Sequence, residues 1–430
     1  MRTFMIIWCG QIVSAIGSAM TRFALTIWVW QLTGEATSIA LFSFFYQLPL
    51  IFVSLFAGVL VDRYRRKYLI ILGDTSAILC TIIIGLLCAN NNLQIWHLYF
   101  LIALSGCFGH LQNLAYSASI PLIVAKQHYT RASSMSALVV HASEIFAPAF
   151  AGSLYPSIGL LGIIVIDIAT FAIATGTVIF LSIPQPAITE TSNKEGKTIW
   201  EQLGFGFRYI LSKPSLLSMT IAFSCFWFAH QIAETIFQPM ILARTGGDTE
   251  ILGIIMTAAG VGGVVSGSFL SIWGGFKRRI HGMLLGFIGT GLSKIVFGIA
   301  QIPFIWVGTS FCSAFNLPLL FSSSNAIWYA KVEPNVQGRI FAADHTMGMI
   351  IGTVASLIAG PLADKFFEPA MKPGGLLSST LSPIFGTETG SGMALLYVIT
   401  SLCVVSVGIG GYFFPKLRNV EDILPDHHAK

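Results

Sequence analysis

Roughly twelve long apolar runs, separated by short polar segments, take up most of this chain. A helix needs about 20 apolar residues to cross a bilayer. The lipid interior offers no partners for backbone polar groups, so crossing segments are helices or closed barrels. The runs are continuous rather than alternating, which excludes a barrel. Only 10% of the 430 residues are charged, against about 25% in soluble proteins. The sequence therefore predicts an all-α membrane protein with twelve transmembrane helices, at residues 4–30, 37–61, 68–88, 96–124, 134–156, 160–183, 215–242, 250–273, 280–300, 303–329, 339–363 and 392–414.

The distribution of Lys and Arg predicts the orientation in the membrane. If the N-terminus is cytoplasmic, the inner segments hold 19 of the 24 Lys and Arg residues and the outer segments hold 3. Cytoplasmic loops carry an excess of these residues, so both termini are predicted to be cytoplasmic. The first apolar run continues to Trp30. It is too long for a signal-peptide core of about 7–15 residues, and we predict a first transmembrane helix.

The longest inner segment runs from Pro184 to Pro214 and divides the spans into two sets of six. We predict an N-terminal six-helix bundle at 1–183, a cytoplasmic linker at 184–214, a C-terminal six-helix bundle at 215–414 and a cytoplasmic tail at 415–430. Apolar residues of the linker recur at helical spacing, which favours an amphipathic helix on the inner membrane surface over a frayed start of span seven: Ile199, Leu203, Phe207, Ile210 and Leu211. The outer segment 366–390 is rich in Gly, Pro, Ser and Thr and is predicted to be irregular.

Several classes of protein lack support in the sequence. The seven cysteines fall in apolar runs without a C-x-x-C pair, so we expect neither a disulfide framework nor a metal site. The stretch from Gly286 to Lys294 lacks the G-K-[ST] ending of a phosphate-binding loop. We therefore expect no cofactor and no enzymatic activity, and an ion gradient is the remaining source of energy. The positions of the Lys and Arg residues are explained by orientation in the membrane, so no nucleic-acid partner is expected. We expect a monomer in the lipid bilayer.

A short basic loop between the second and third predicted spans resembles a family signature. The major facilitator superfamily joins these two helices by a loop of the form G-x-x-x-D-R-x-x-R-R/K. Arg65 stands where the family often has Gly. The positions that match are Gly58, Asp62, Arg63, Arg66 and Lys67. The resemblance implies two pseudo-symmetric six-helix bundles, and Ala147-Pro148, which recurs as Gly360-Pro361, favours the same duplication.

Two further patterns resemble the exporters of this superfamily. The stretch His141 to Gly152 is similar to the G-P-x-x-G-G motif of proton-coupled exporters, with Ala at two Gly positions; a generic packing face of small residues is the alternative. Other segments resemble the bacterial macrolide-efflux and siderophore-exporter branch: Trp8-x-Gly10-Gln11-x-x-Ser14-x-x-Gly17, Leu32-Thr33-Gly34, Pro49 and Arg131-Ala-Ser-Ser-Met-Ser.

The branch implies proton antiport by alternating access in the bacterial cytoplasmic (inner) membrane, exporting an amphipathic small molecule. An importer or facilitator of a small metabolite on the same fold is the alternative. A membrane enzyme or receptor is a third hypothesis, which no metal cluster, nucleophile–base pair or soluble domain supports.

Charged residues inside membrane spans are costly and usually face a cavity or a partner. On the family resemblance, the proton-coupling candidates are Arg22, Glu144, Glu234 and Asp344. We expect Asp74 to pair with the basic loop, and Asp167 and Lys294, on spans expected to be peripheral, to be structural.

Two histidines share a helix face with an acid, since His141 precedes Glu144 by three residues and His230 precedes Glu234 by four. A hydrogen-bonded packing role is the alternative for each histidine. The predicted cavity residues are His141, His230, Trp227 and Pro148.

The resemblance also implies that the basic loop is a conformational latch. Asp62 would accept hydrogen bonds from the N-terminus of span eleven and pair with Arg339 or Arg66 while the cytoplasmic side is closed. The alternative is that Asp62 only offsets the neighbouring arginines. The predicted latch residues are Gly58, Asp62, Arg63, Arg66, Lys67 and Arg339.

Overall fold

The computed structural model describes residues 2–125, 128–180 and 199–423, without the side chains of some helical residues, among them 54–63. Within these ranges the chain is helical and contains no strand, which confirms the predicted all-α class. A π-helical stretch at Ala363–Phe367 follows the eleventh helix. The α-helices are α1 (Arg2–Thr33), α2 (Ala36–Arg63), α3 (Arg66–Ala89), α4 (Ile95–Ile123), α5 (Tyr129–Phe180), α6 (Ile199–Ser212), α7 (Pro214–Arg244), α8 (Thr249–Trp273), α9 (Arg279–Ile299), α10 (Pro303–Lys331), α11 (Pro334–Leu362), α12 (Glu368–Met371), α13 (Ser378–Phe385), α14 (Ser391–Phe413), α15 (Pro415–Arg418) and α16 (Val420–Ile423).

Eleven helices of the described chain are long and apolar enough to cross a membrane. One of them, α5, includes an apolar run of 40 residues at Leu138–Thr177, which is twice the length that one crossing needs. The run is broken at Gly159, whose φ of 63° and ψ of −171° are not helical and favour glycine. The predicted spans 134–156 and 160–183 thus lie on the two sides of this break, and α5 supplies two of the twelve crossings.

The contacts divide the chain into two compact units. Unit 1 comprises residues 1–34, 41–194 and 247–257, and unit 2 comprises 35–40, 195–246 and 258–430. The division passes through α2 and α8, so the first turns of each of these helices belong to a different unit from the rest of the helix.

In unit 1, α1 packs along α5, and α3 packs against α4 and α5. Small residues bring α1 close to α5, because a Cβ atom on Gly10 would lie 2.8 Å from the Thr177 hydroxyl oxygen. Backbones that approach this closely are typical of helices that pack inside membranes. Glycines also bring α5 and α8 together: a Cβ atom on Gly253 would lie 2.5 Å from the carbonyl oxygen of Pro148 and 3.2 Å from Cα of Gly152.

In unit 2, α9 packs against α10 and α14, and α7 packs against α11 and α14. Helix α6 occupies the place of the predicted amphipathic helix and packs against α11 and α7. Ile210 is buried in the core of the unit, and a Cβ atom on Gly206 would lie 2.6 Å from the carbonyl oxygen of Arg339. The apolar face of α6 therefore packs in part on protein. The preceding linker residues 184–198 lie outside the described residues.

The segment 366–390 was predicted to be irregular, and this prediction is wrong, because α12 and α13 lie in it. Its anchor is Glu368, which is buried and accepts hydrogen bonds from the backbone N–H groups of Gly390 and Met393 at the start of α14. Turn-forming residues are frequent in this segment, but a carboxylate that caps a helix N-terminus holds it in a regular structure. The composition does not reveal this contact.

A second acid caps the first turn of α2. Asp364 accepts hydrogen bonds from the backbone N–H groups of Ala36 and Thr37, at 3.1 and 2.7 Å, and from the Thr37 hydroxyl at 2.6 Å. These N–H groups have no partner within their own helix. A residue more than 300 positions away along the chain therefore completes the N-terminus of α2.

Candidate functional site

The most closely connected cluster of charged side chains in the described chain lies in unit 2, between α7 and α9. Nζ of Lys294 donates a hydrogen bond of 2.6 Å to Oε1 of Glu234 and lies 2.9 Å from Nδ1 of His230. Nε2 of His230 is 3.8 Å from the same Glu234 oxygen. The three side chains therefore form one network inside a predicted membrane span.

Helical spacing explains how α7 builds its side of the cluster. Phe226, His230 and Glu234 follow one another at intervals of four residues, so they share a face. The ring of Phe226 stacks on His230 with centroids 5.2 Å apart, and Trp227 stacks on the same imidazole at 5.7 Å. Aromatic rings thus fix the orientation of the histidine.

Helix α14 closes the other side of Lys294. Glycines stand three residues before and four residues after this lysine, and each touches α14: a Cβ atom on Gly291 would lie 2.5 Å from Val405, and one on Gly298 would lie 2.6 Å from Val398. The close approach places the ring of Tyr397 5.7 Å from Nζ of Lys294. A cation near an aromatic face gains electrostatic attraction, most where water is excluded.

The two side chains of the ion pair differ in how far the rest of the protein covers them. The side chain of Lys294 is 2% exposed, whereas that of Glu234 is 44% exposed. Glu234 can therefore exchange a proton or contact another molecule, while Lys294 depends on Glu234 for compensation of its charge. Lys294, for which we expected a structural role, is thus the ion-pair partner of Glu234. A Lys and a Glu in different spans were a signal of pairing, but the sequence did not show that α7 and α9 are neighbours.

The other proton-coupling candidates are not joined to this cluster within the described contacts. Asp344 of α11, in the same unit, is half-buried and makes no hydrogen bond or ion pair with a described residue. In unit 1, Arg22 is exposed. Glu144 is exposed too, and its Oε2 lies 3.3 Å from Nδ1 of His141. The structure thus brings together the His230–Glu234 pair with a buried cation, and the His141–Glu144 pair on an exposed helix face.

Trp227 is half-buried and makes an edge-to-face contact with Phe321 at 6.0 Å. Phe223 lies 5.7 Å from the same Phe321 ring. The predicted cavity residue Pro148 is buried in unit 1 and faces Gly253, as described above. Trp227 and its aromatic neighbours therefore remain candidates for contact with an apolar molecule, whereas Pro148 is a helix-packing residue.

The basic loop is described in part. The guanidinium of Arg66 donates a hydrogen bond to the carbonyl oxygen of Ala118 in α4, and that of Arg339 lies 5.2 Å from the ring centroid of Phe205 in α6. Asp74, expected to pair with this loop, instead accepts a hydrogen bond from the amide of Gln112. The surroundings of Gly58 and the side chains of Asp62 and Arg63 lie outside the described residues. No described contact with Lys67 or Arg339 tests the latch, which stays a prediction.

Comparison with known proteins identifies the family. The model of the Major Facilitator Superfamily matches residues 7–355. The chain belongs to the major facilitator superfamily. Its fold, predicted from the basic loop, is thereby confirmed, and the chain is a multi-pass membrane transporter of this superfamily.

Similar proteins include two that are named for efflux. Macrolide efflux protein A of Streptococcus pyogenes is 23% identical over 364 residues, which cover 84% of this chain and 89% of that protein. The multidrug efflux pump Tap of Mycolicibacterium fortuitum is 19% identical over 418 residues, covering 96% of this chain and 95% of that protein.

Solved structures agree with the fold. A bacterial homologue of the human lysosomal transporter Spinster, in an inward-facing and unoccupied conformation, superposes with a TM-score of 0.73 at 14% identity, covering 100% of this chain and 99% of that one. A mutant of the nucleoside transporter NupG gives a TM-score of 0.71 at 11% identity, covering 95% and 98%.

Proposed function

We propose that this transporter exports an amphipathic small molecule from the bacterial cytoplasm in exchange for protons, and that Glu234 carries the proton. The ion pair between half-exposed Glu234 and buried Lys294 is the observation that supports a proton site. Export is supported by the efflux proteins to which the chain is similar over most of its length.

Proton binding at Glu234 changes the electrostatics of the whole cluster. Protonation removes the negative charge that compensates Lys294, whose remaining neighbours are the neutral acceptor His230 and the ring of Tyr397. A buried cation that loses its partner is strongly destabilised. The proton therefore favours a rearrangement in which α7 and α9 give Lys294 another partner or access to water. This link between occupancy and conformation is what coupled transport requires.

The surroundings of the pair suit an amphipathic molecule. Half-buried Trp227 and Phe223 lie about two and three turns before Glu234 on α7 and supply apolar contact surface. A carboxylate next to aromatic rings can bind a positively charged group while the rings contact the apolar remainder. The transported molecule would then interact with the same acid that exchanges the proton.

The decisive experiment uses inside-out membrane vesicles with an acidic interior, which energise a proton-coupled exporter to accumulate its substrate. We expect accumulation of a radiolabelled macrolide by the wild type and none above the passive level by Glu234→Gln. Exchange of labelled for unlabelled macrolide without a gradient is expected to continue, because exchange needs binding but no net proton movement. Glu250→Gln removes an exposed acid at the start of α8 and is expected to behave as the wild type.

Glu144→Gln is tested in the same assay as the second candidate. Accumulation by Glu234→Gln at the wild-type level would show that Glu234 is not the coupling acid. Accumulation in right-side-out vesicles instead of inside-out vesicles would favour the alternative, an importer.

A further inference from the structure

A buried carboxylate in unit 1 takes no part in the cluster around Glu234. Asp167 lies on α5 beyond the break at Gly159, and it is 1% exposed. No Lys, Arg or His of the described chain forms an ion pair with it. An uncompensated charge in the interior of a membrane protein is strongly unfavourable, so this carboxylate requires a cation or a proton.

Hydroxyl groups from three helices surround Asp167. Ser18 of α1 donates a hydrogen bond of 3.3 Å to Oδ1, and the hydroxyls of Thr21 of α1 and Thr81 of α3 lie beside the carboxylate. The Thr170 hydroxyl donates its proton to the backbone carbonyl of Asp167 at 2.8 Å. The ligands that these residues offer to an ion beside Asp167 are therefore oxygen atoms.

One of these oxygens is poorly satisfied. The hydroxyl of Thr21, a residue that is 6% exposed, is buried beside Asp167, and it makes no hydrogen bond of good geometry with a described residue. Most buried polar atoms in proteins have a partner, so an exception needs an explanation. A small ion or a proton held between Thr21 and Asp167 supplies one.

The sequence of α1 allows this arrangement. A Cβ atom on Gly17 would lie 2.2 Å from the hydroxyl oxygen of Thr170 and 3.1 Å from Oδ1 of Asp167. Any side chain at Gly17 would therefore occupy the space between α1 and the carboxylate. The glycine lets Ser18 and Thr21, which follow it on α1, reach Asp167.

Few other charges act on this carboxylate. The positive charge of Arg22, one turn after Ser18 on α1, acts on Asp167 from beyond ion-pair distance, and its side chain is exposed. On α3, Asp74 lies seven residues before Thr81, about 10 Å along the helix. The thiol of Cys80 is next to Thr81 in the chain. None of these groups replaces a cation at Asp167.

We propose that Asp167, with the hydroxyls of Ser18, Thr21 and Thr81, forms a binding site for one small monovalent cation, a sodium ion or a proton, inside unit 1. Hard cations take carboxylate and other oxygen ligands, and a proton neutralises the same carboxylate. The site is separate from the Glu234 cluster and gives the transporter a second point at which ion concentration acts on the protein.

The test measures the unfolding temperature (Tm) of the full chain purified in detergent, in sodium chloride and in choline chloride at equal ionic strength, at pH 6 and pH 8. A bound ion stabilises the folded protein. If sodium is the ligand, the Tm of the wild type is several degrees higher in sodium than in choline at pH 8. If the proton is the ligand, sodium has no specific effect and Tm falls as the pH is raised, because the site loses its proton.

Asp167→Asn keeps the size of the side chain and removes its charge, so either response is expected to disappear in this variant. Glu250→Gln, which removes an exposed acid at the start of α8, is the matched control and is expected to retain the response. Equal sodium and pH responses in the wild type and in Asp167→Asn would overturn the proposal.

If Asp167→Asn yields no folded protein, Thr21→Val decides the question. We expect this variant to raise the half-saturating sodium concentration several-fold, or to move the midpoint of the pH response. An unchanged response in Thr21→Val would overturn the proposal.

Discussion

The ion pair between Glu234 and Lys294 leads to an unequal prediction for its two partners. Breaking a buried pair by removing one partner costs about 3–5 kcal/mol when the remaining charge is buried. Glu234→Gln leaves Lys294, which is 2% exposed, with His230 as its neutral acceptor. We therefore expect a loss of about 2–4 kcal/mol in the free energy of unfolding.

The opposite substitution is expected to cost much less. Lys294→Met leaves the carboxylate of Glu234, which is 44% exposed, and water can solvate this charge. We expect a loss of about 1 kcal/mol or less, since partly solvated charges interact weakly. The double variant removes both charges and is expected to recover most of the loss caused by Glu234→Gln.

The four proteins are compared by equilibrium unfolding in mixed micelles, with the denaturing detergent as the titrant. The ranking of the single variants is the critical result, because surface exposure of the remaining charge predicts it. If Lys294→Met destabilised the protein as much as Glu234→Gln, the argument from unequal exposure would be wrong. If the double variant were less stable than Glu234→Gln, the pair would not be the source of the loss.

Two further predictions concern the helix contacts of unit 2, and both are measured as changes in unfolding free energy. Asp364→Ala removes the acceptor for the first N–H groups of α2 and is expected to cost about 1–2 kcal/mol. Asp364→Asn keeps one acceptor oxygen and should cost less. Equal losses in the two variants would contradict a capping role. Gly360→Ala would place a Cβ atom 2.5 Å from Cα of Thr37 and is expected to cost about 1–3 kcal/mol. Gly348→Ala, on the same helix with open space around the new atom, should be neutral or slightly stabilising, and equal effects of the two glycine substitutions would refute the packing argument.

The fold could be predicted from the sequence because the bilayer imposes one dominant constraint. Apolar runs of sufficient length must be helices, and the loop at Gly58–Lys67 carries a signature of the family. The separate spans 134–156 and 160–183 were predicted, and the structure places the break between them at Gly159. The detail that hydropathy does not register is the carboxylate of Glu368, which orders a segment with the composition of a loop.

The candidate site could be predicted in part. Helical spacing correctly placed His230 and Glu234 on one face, since that relation depends on α7 alone. The partner Lys294 depends on which helices are neighbours, and the residues of one helix do not carry that information. The same limit applies to Asp364, whose partners lie more than 300 residues away along the chain.

The contact of α5 with α8 has a kinetic consequence. Gly152 and Gly253 meet through backbone atoms, with the carbonyl of Pro148 next to them. A glycine has no side-chain rotamer to fix when a contact forms. Separating and rejoining this contact therefore reorders few side chains. It breaks and remakes weak dispersion contacts and the hydrogen bonds that the hydroxyls of Thr249 and Thr257 donate to the carbonyl oxygens of Gly152 and Ile145. Such a surface can open and close quickly, and its rate would be set by the movement of whole helices through lipid rather than by local repacking.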